Sequence, residues 1–218
     1  MHSSLADTYL STLLDGRRQD AARLVLDAIE RGALTIEALY LEVFEPVLVE
    51  VGRRWQHNQL SIAEEHYVSA ATQQVMAQLY PRIFTAAPRG LTMVAACVGP
   101  ELHEIGLRMV ADLFELDGWN TYYLGANVPA AAIVGAVRSR RAHLLALSTA
   151  LDEHVEVARE VIARLREDPV TAEVPVLVGG HAFRDDPERW RAIGASAAPV
   201  GASEVVQVAR RLVGGRGG

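Results

Sequence analysis

The stretch "GPELHEIGLR", residues 99–108, sets one histidine, His103, among two glycines, a proline and two glutamates, directly after the apolar run "TMVAACV". A core histidine sits within a strand or on a helix face. His103 instead sits on the loop leaving the run, with the carboxylate of Glu101 two residues before it. Open α/β sheets bind their ligands at such loops. Two more features close apolar runs: "STAL", with Ser148 and Leu151, and "GGH", with Gly179, Gly180 and His181. Alone, a Gly-Gly pair makes a turn and a serine caps the next helix. Together with Glu101, His103 and Gly106 they gather on one edge of a sheet.

A bare zinc centre does not fit these residues. No histidine pair has H-E-x-x-H spacing, and the adjacent Glu65 and His66 point to different parts of a helix face. The single cysteine, Cys97, excludes an intrachain disulfide and any multi-cysteine metal site, and its place in "TMVAACV" predicts a small buried hydrophobe. His143, before the third apolar run, and His154, in a helix, read as surface positions, whereas His181 is a candidate to line a ligand slot.

The elements that position these residues come in two blocks. Residues 5–84 show apolar spacing of three and four, which predicts a bundle of four or five helices. Gly16 and Gly32 mark breaks. Thr35 offers an N-cap for a helix running to about Trp55, and Ser61 with Glu64 forms a capping box for the next, which ends near Pro81. "TAAPRG", residues 85–90, is the expected linker between a helical cap domain, 1–84, and a second domain, 91–218. Apolar, partly β-branched runs at 92–98, 120–125, 143–149, 174–180 and 195–200 then alternate with helical stretches near 104–117, 130–141, 153–167, 186–193 and 202–213. This rhythm predicts an α/β fold, a Rossmann-like (flavodoxin-like) five-stranded parallel sheet covered on both faces. The tail "GGRGG" is expected to be disordered.

Composition bounds the function. Of 218 residues 50% are hydrophobic and 22% charged, the balance of a soluble globular chain, and the apolar runs are too short to span a bilayer. The N-terminus lacks the pattern of a signal peptide, so a cytoplasmic location is expected. A formal charge of −6, without helix-turn-helix or zinc-finger spacing, argues against direct DNA binding.

The order Asp/Glu-x-His-x-x-Gly, Ser-x-Leu, Gly-Gly resembles the cobalamin-binding domain of the methionine synthase type. The resemblance implies a base-off corrinoid with His103 as lower axial ligand to cobalt, contacts from Glu101, Leu102, Glu104, Ile105, Ser148 and Leu151, and a nucleotide-tail slot that a side chain at Gly106 or Gly179 would fill, with Gly180 beside it. Glu101 would accept a hydrogen bond from the ring nitrogen facing away from cobalt. "WQHNQLSIAEEH" places Trp55 ten residues before Glu65, with His66 adjacent. Trp-x9-Glu-His is similar to the four-helix cap of the B12-dependent photoreceptors of the CarH and LitR type, as are "HEIGLRMVADLFELDGW" and "YYLGANVP". This resemblance covers roughly residues 35–205. It implies a non-catalytic light sensor, with adenosylcobalamin between cap and sheet and Trp55, Glu65 and His66 toward the adenosyl group. Two departures qualify it. The MerR-like DNA-binding domain of those regulators has no counterpart here, which implies output through self-association, as dimer or tetramer, or through a signalling partner. Gln56 follows Trp55 where they have a cobalt-capturing histidine; His57 is one position on, about 100° round a helix, and is the nearest candidate for that upper ligand. Stand-alone relatives, the photocobilins, add a bilin such as biliverdin; buried Cys97 would leave it non-covalently bound. The alternative is a corrinoid methyl-carrier protein of a methyltransferase system. Those usually continue His-x-Ile-Gly-Lys-Asn, where this chain has Leu107 and Arg108.

Overall fold

A computed structural model describes residues 4–184, 186, 188–199 and 201–215, and the chain divides into two compact units, Met1–Ile83 and Phe84–Gly218. The first is helical: α1 (Leu5–Leu14), α2 (Arg18–Glu30), α3 (Ile36–Leu39), α4 (Glu45–Gln56) and α5 (Ile62–Leu79). Capping boxes start α1 at Ser4–Asp7 and α5 at Ser61–Glu64, satisfying amides that the first turn leaves without partners. Gly16 and Gly32 follow α1 and α2 with φ of 75° and 67°, the left-handed conformation that ends helices. The helix expected from Thr35 to Trp55 carries a π turn at Tyr40–Phe44, where the Glu45 N–H reaches the Tyr40 carbonyl. Pro46 is the physical reason. It has no N–H for the carbonyl four residues back, and the ladder widens just before it. The bundle closes on buried Tyr9, Leu39, Phe44 and Met76; the Tyr9 hydroxyl shares a 3.3 Å hydrogen bond with Thr72 Oγ1.

The second unit is a parallel sheet of β1 (Thr92–Val98), β2 (Asn120–Val128), β3 (Leu144–Ser148) and β4 (Val176–Gly179), in the order β2-β1-β3-β4. Its helices are α6 (Ile105–Leu116), α7 (Ala130–Ser139), α8 (Val155–Glu167), α9 (Arg189–Ala192) and α10 (Ala202–Gly214). One face, with Met93, Ala95, Cys97, Ala146 and Leu177, packs on residues of α6 and α10 such as Phe114 and Ala209. The other, with Val94, Ala96, Leu145, Leu147 and Val178, packs on α7 and α8 through Ile133, Val161 and Leu165. Burial on both faces explains why β1 and β3 are written as unbroken apolar runs. Each fully buried Val, Leu, Ile, Phe or Met side chain among them contributes about 1.5–3 kcal/mol.

Two strand expectations are corrected. The fifth strand, 195–200, shrinks to one parallel bridge between Leu177 and Ala197. Ala195, Ser196, Ala197 and Ala198 offer little surface to bury, and Pro199 cannot donate to a ladder; Val200 lies outside the described residues. β2 runs past the expected end at 125 to Val128, because Gly125, at φ 78°, lets the strand shift register against β1 and continue. Of the tail expected to be disordered, Arg216–Gly218 lie outside the described residues. Among the described residues no helix is long and apolar enough to cross a membrane.

The strand order matters for function. From β1 the chain steps outward to β2, then returns to β3 on the other side. The helices that follow β1 and β3, α6 and α8, therefore pack on opposite faces of the sheet, which makes this carboxyl edge the switch point where open α/β sheets bind their ligands. His103 lies on the first loop and Leu151 on the second.

Candidate functional site

The site is built around a buried carboxylate. After β1 the chain turns through a cis Gly99–Pro100 bond, and the Asn127 N–H, from β2, holds the Glu101 carbonyl at 2.9 Å. The Glu101 side chain is 0% exposed, so its charge must be met by donors. Oε1 accepts from the His103 N–H at 3.0 Å and from the His103 ring at Nδ1. Oε2 accepts from the Ala150 N–H at 2.7 Å, the Leu151 N–H at 3.2 Å and His154 Nδ1 at 3.1 Å. Burial pushes this carboxyl upward, but the hydrogen bonds from His103, His154 and Ala150 outweigh it and hold the pKa at about 2. Glu101 is an anion at neutral pH.

That anion settles the chemistry of His103. With Nδ1–H donated to that carboxylate, Nε2 is the ring nitrogen left to present a lone pair to a ligand. The side chain is 62% exposed, and Leu102 and Leu151 beside it are 70% and 42% exposed. An imidazole with a free lone pair on an apolar rim can serve as one axial ligand to a large, flat metal complex. Among the described residues no group of three or more His, Cys, Asp or Glu is placed to hold a bare metal ion.

A strip of small residues runs beside this edge. Cys97, Ser148 and Gly179 pair in one row across β1, β3 and β4. Side-chain alternation puts that row on the face of Ala95, Ala146 and Leu177, which α6 and α10 cover. Cys97 is buried, and burial followed by the Glu101 charge pushes its thiol up to about 12, so it is an inert hydrophobe. Gly106 opens the first turn of α6. A Cβ at Gly106 or Gly179 would meet nothing within 4 Å, so neither glycine is required by the protein's own packing. Gly180 is different: at φ 100° its Cβ would lie 2.2 Å from the Thr149 carbonyl oxygen. Thr149 is fully buried and its Oγ1 has no hydrogen-bond partner. Glu104 accepts from the Tyr123 hydroxyl at 3.1 Å, and a partly buried Ile105 begins α6.

His154 corrects the sequence reading. It is 7% exposed and bound to Glu101, because the 3₁₀ turn Asp152–His154 tucks its ring under the β3 loop. The only sequence signal is its place three residues after Leu151. His143 and His181 are exposed, and His143 Nδ1 accepts from the Thr92 N–H at 3.0 Å. The remaining candidates belong to the helical unit. Trp55, in the last turn of α4, is 43% exposed. His57 caps α4, its Nδ1 donating to the Arg53 carbonyl at 2.7 Å. On α5, Glu65 accepts from Ser69 Oγ at 2.8 Å and from His66 Nδ1, so the adjacent pair does bond despite its spacing; His66 is 71% exposed.

A family model described as a B12 binding domain matches residues 91–209, and a second with that description matches residues 5–80. The chain belongs to the B12-binding domain family. It is 33% identical to the HTH-type transcriptional repressor CarH of Myxococcus xanthus over 82% of this chain, and 33% identical to the repressor CarA of that organism over 81%. It spans 60% and 58% of the lengths of those two repressors. It is 23% identical to a corrinoid protein of Desulfitobacterium hafniense over 98% of this chain and 100% of the other. Among solved structures, the monomethylamine corrinoid protein of Methanosarcina barkeri shares the fold at a TM-score of 0.82 and 18% identity, covering 94% of this chain and 96% of that one.

The residues of this B12-binding chain fit a corrinoid. A corrin ring brings its own equatorial ligands, so one outward imidazole is the donor set the protein must add. At Gly106 and Gly179 a Cβ would meet nothing, so these positions leave space that the protein's own packing does not use, and the Thr149 hydroxyl is a buried polar atom still without a partner.

Proposed function

We propose that the chain is a cobalamin-dependent light sensor, with His103 as lower axial ligand and the strip beside Gly106 and Gly179 as the nucleotide-tail slot. The observation that carries it is the pairing of a buried, ionised Glu101 with an exposed His103 whose Nε2 faces outward. Bound adenosylcobalamin supplies a Co–C bond that light breaks. His103 binds and orients it, Glu101 keeps the His103 proton on Nδ1, and Leu102 and Leu151 keep water from the ligating nitrogen. Trp55, Glu65 and His66 are the candidates to contact the adenosyl group, as their pattern suggests. Kinship to the two Myxococcus repressors supports a sensor. Its output is self-association, as dimer or tetramer, or a signalling partner; direct DNA contact is no part of the proposal.

Full-length similarity to the Desulfitobacterium corrinoid protein supports a second reading, a methyl carrier serving partner enzymes. Protein reconstituted with adenosylcobalamin, with photolysis by green light followed by absorption, separates the two by what photolysis does to its association. A sensor shows complete photoconversion and a changed mass or elution in size-exclusion chromatography with light scattering. Unchanged association after complete photolysis removes self-association as the signal. A further red band would report a bilin such as biliverdin.

The slot has its own test. Gly179→Ala should leave thermal stability within about 1 kcal/mol of the wild type, since a Cβ there meets nothing. Corrinoid binding, followed by absorbance titration, should fall more than about tenfold. Full binding by this variant would move the nucleotide tail elsewhere.

A further inference from the structure

We propose that His154 is a positioning residue for the His103 imidazole: it holds the Glu101 carboxylate in the orientation that leaves Oε1 for His103. The functional consequence rests on reading His103 as a corrinoid ligand; the geometry does not. Two imidazoles share one buried carboxylate and are placed for opposite duties. His103 meets Oε1 and is 62% exposed. His154 meets Oε2 at 3.1 Å and its side chain is 9% exposed. The other nitrogen of His154, Nε2, lies 3.6 Å from Glu153 Oε1, so both ring nitrogens face carboxylates and neither is offered to a ligand.

His154 differs from the other donors on Oε2. Ala150 and Leu151 give backbone N–H groups, present wherever the turn after β3 runs. His154 is the side chain among them, and it is anchored: its own N–H bonds the Leu151 carbonyl at 3.0 Å and its backbone leads directly into α8. A hydrogen bond to an ionised carboxylate is stronger than one between neutral groups. Fixing Oε2 from the α8 side fixes the carboxylate plane, and with it the direction from which Oε1 receives the His103 proton. Without that bond the carboxylate keeps only its three backbone donors, His103 on Oε1 and Ala150 and Leu151 on Oε2, with no side chain holding it from the α8 side; the geometry at Oε1 loosens and His103 loses its single tautomer. A ligand whose lone pair moves between Nδ1 and Nε2 is a weaker ligand.

The test begins on the apoprotein with ¹⁵N-labelled histidine. Long-range ¹H–¹⁵N spectra should show both His103 and His154 with the proton on Nδ1. A wild-type His154 carrying its proton on Nε2 overturns the proposal, whatever any variant does. His154→Leu keeps volume and removes the donor; His103 should become a mixture of tautomers. His154→Gln, whose amide can donate, should restore a single form, and Glu153→Gln should change nothing. In protein loaded with cob(II)alamin, electron paramagnetic resonance reads nitrogen coupling from an axial imidazole. His154→Leu should show a partly imidazole-free signal and about tenfold weaker binding, with His154→Gln close to wild type. A single tautomer and full nitrogen coupling in His154→Leu overturn the role. Absence of nitrogen coupling in the wild type sinks the ligand reading instead, and the tautomer measurements still judge the positioning role.

Discussion

His103→Ala should bind cobalamin at least about tenfold more weakly, with a spectrum lacking axial imidazole, while the fold is unaffected. The separation follows from geometry. The side chain is 62% exposed, so its removal uncovers no core, and the loss of one donor to Glu101 Oε1 should cost on the order of 1 kcal/mol. What disappears is the Nε2 lone pair, which water replaces poorly in front of Leu102 and Leu151. Absorbance titration beside a thermal melt checks both halves. An unchanged spectrum would remove His103 from the metal; a large loss of stability would mean that it serves the fold.

Glu101→Ala should do the reverse and damage the fold first. Its oxygens meet the N–H groups of His103, Ala150 and Leu151 and the rings of His103 and His154, all in or beside the β1 and β3 loops. Deleting the carboxylate strands those donors, at about 1–3 kcal/mol for each that water cannot reach. A total loss on the order of 3–5 kcal/mol, with a melting point lower by on the order of 10 °C, is expected. The same residue predicts acid sensitivity. The carboxyl is lowered from 4.5 to about 2 in the folded chain, so between those values the unfolded chain binds the extra proton. Stability from this group is complete above pH 4.5 and is lost as pH falls toward 2, an effect on the order of 3 kcal/mol. Glu101→Gln has no such proton to bind. Urea unfolding from pH 5 to pH 2 should therefore fall less steeply for Glu101→Gln than for the wild type, and parallel curves would show that the carboxylate is not held as described.

The amino-acid sequence by itself determines the order of elements, because the signals involved are local. Strands buried on both faces are written as apolar runs, so β1 and β3 can be read within a residue, and helix caps such as Ser61–Glu64 are written within four residues. Once the strands are parallel, the motifs at Glu101–His103, Ser148–Leu151 and Gly179–Gly180 fall to one edge. Tertiary structure decides what those residues do. Whether 195–200 is a strand depends on what a neighbouring ladder can gain from small residues and a proline, which no periodicity records. His154 meets Glu101 across 53 residues of sequence, and a buried ion's partner is chosen by the meeting of loops rather than by spacing. Gly179 and Gly180 are the same letter side by side, yet Gly179 faces open space while Gly180 lies against the Thr149 backbone. Composition assigns both to a turn; only the packed chain separates the glycine that the fold requires from the glycine whose Cβ position it leaves open.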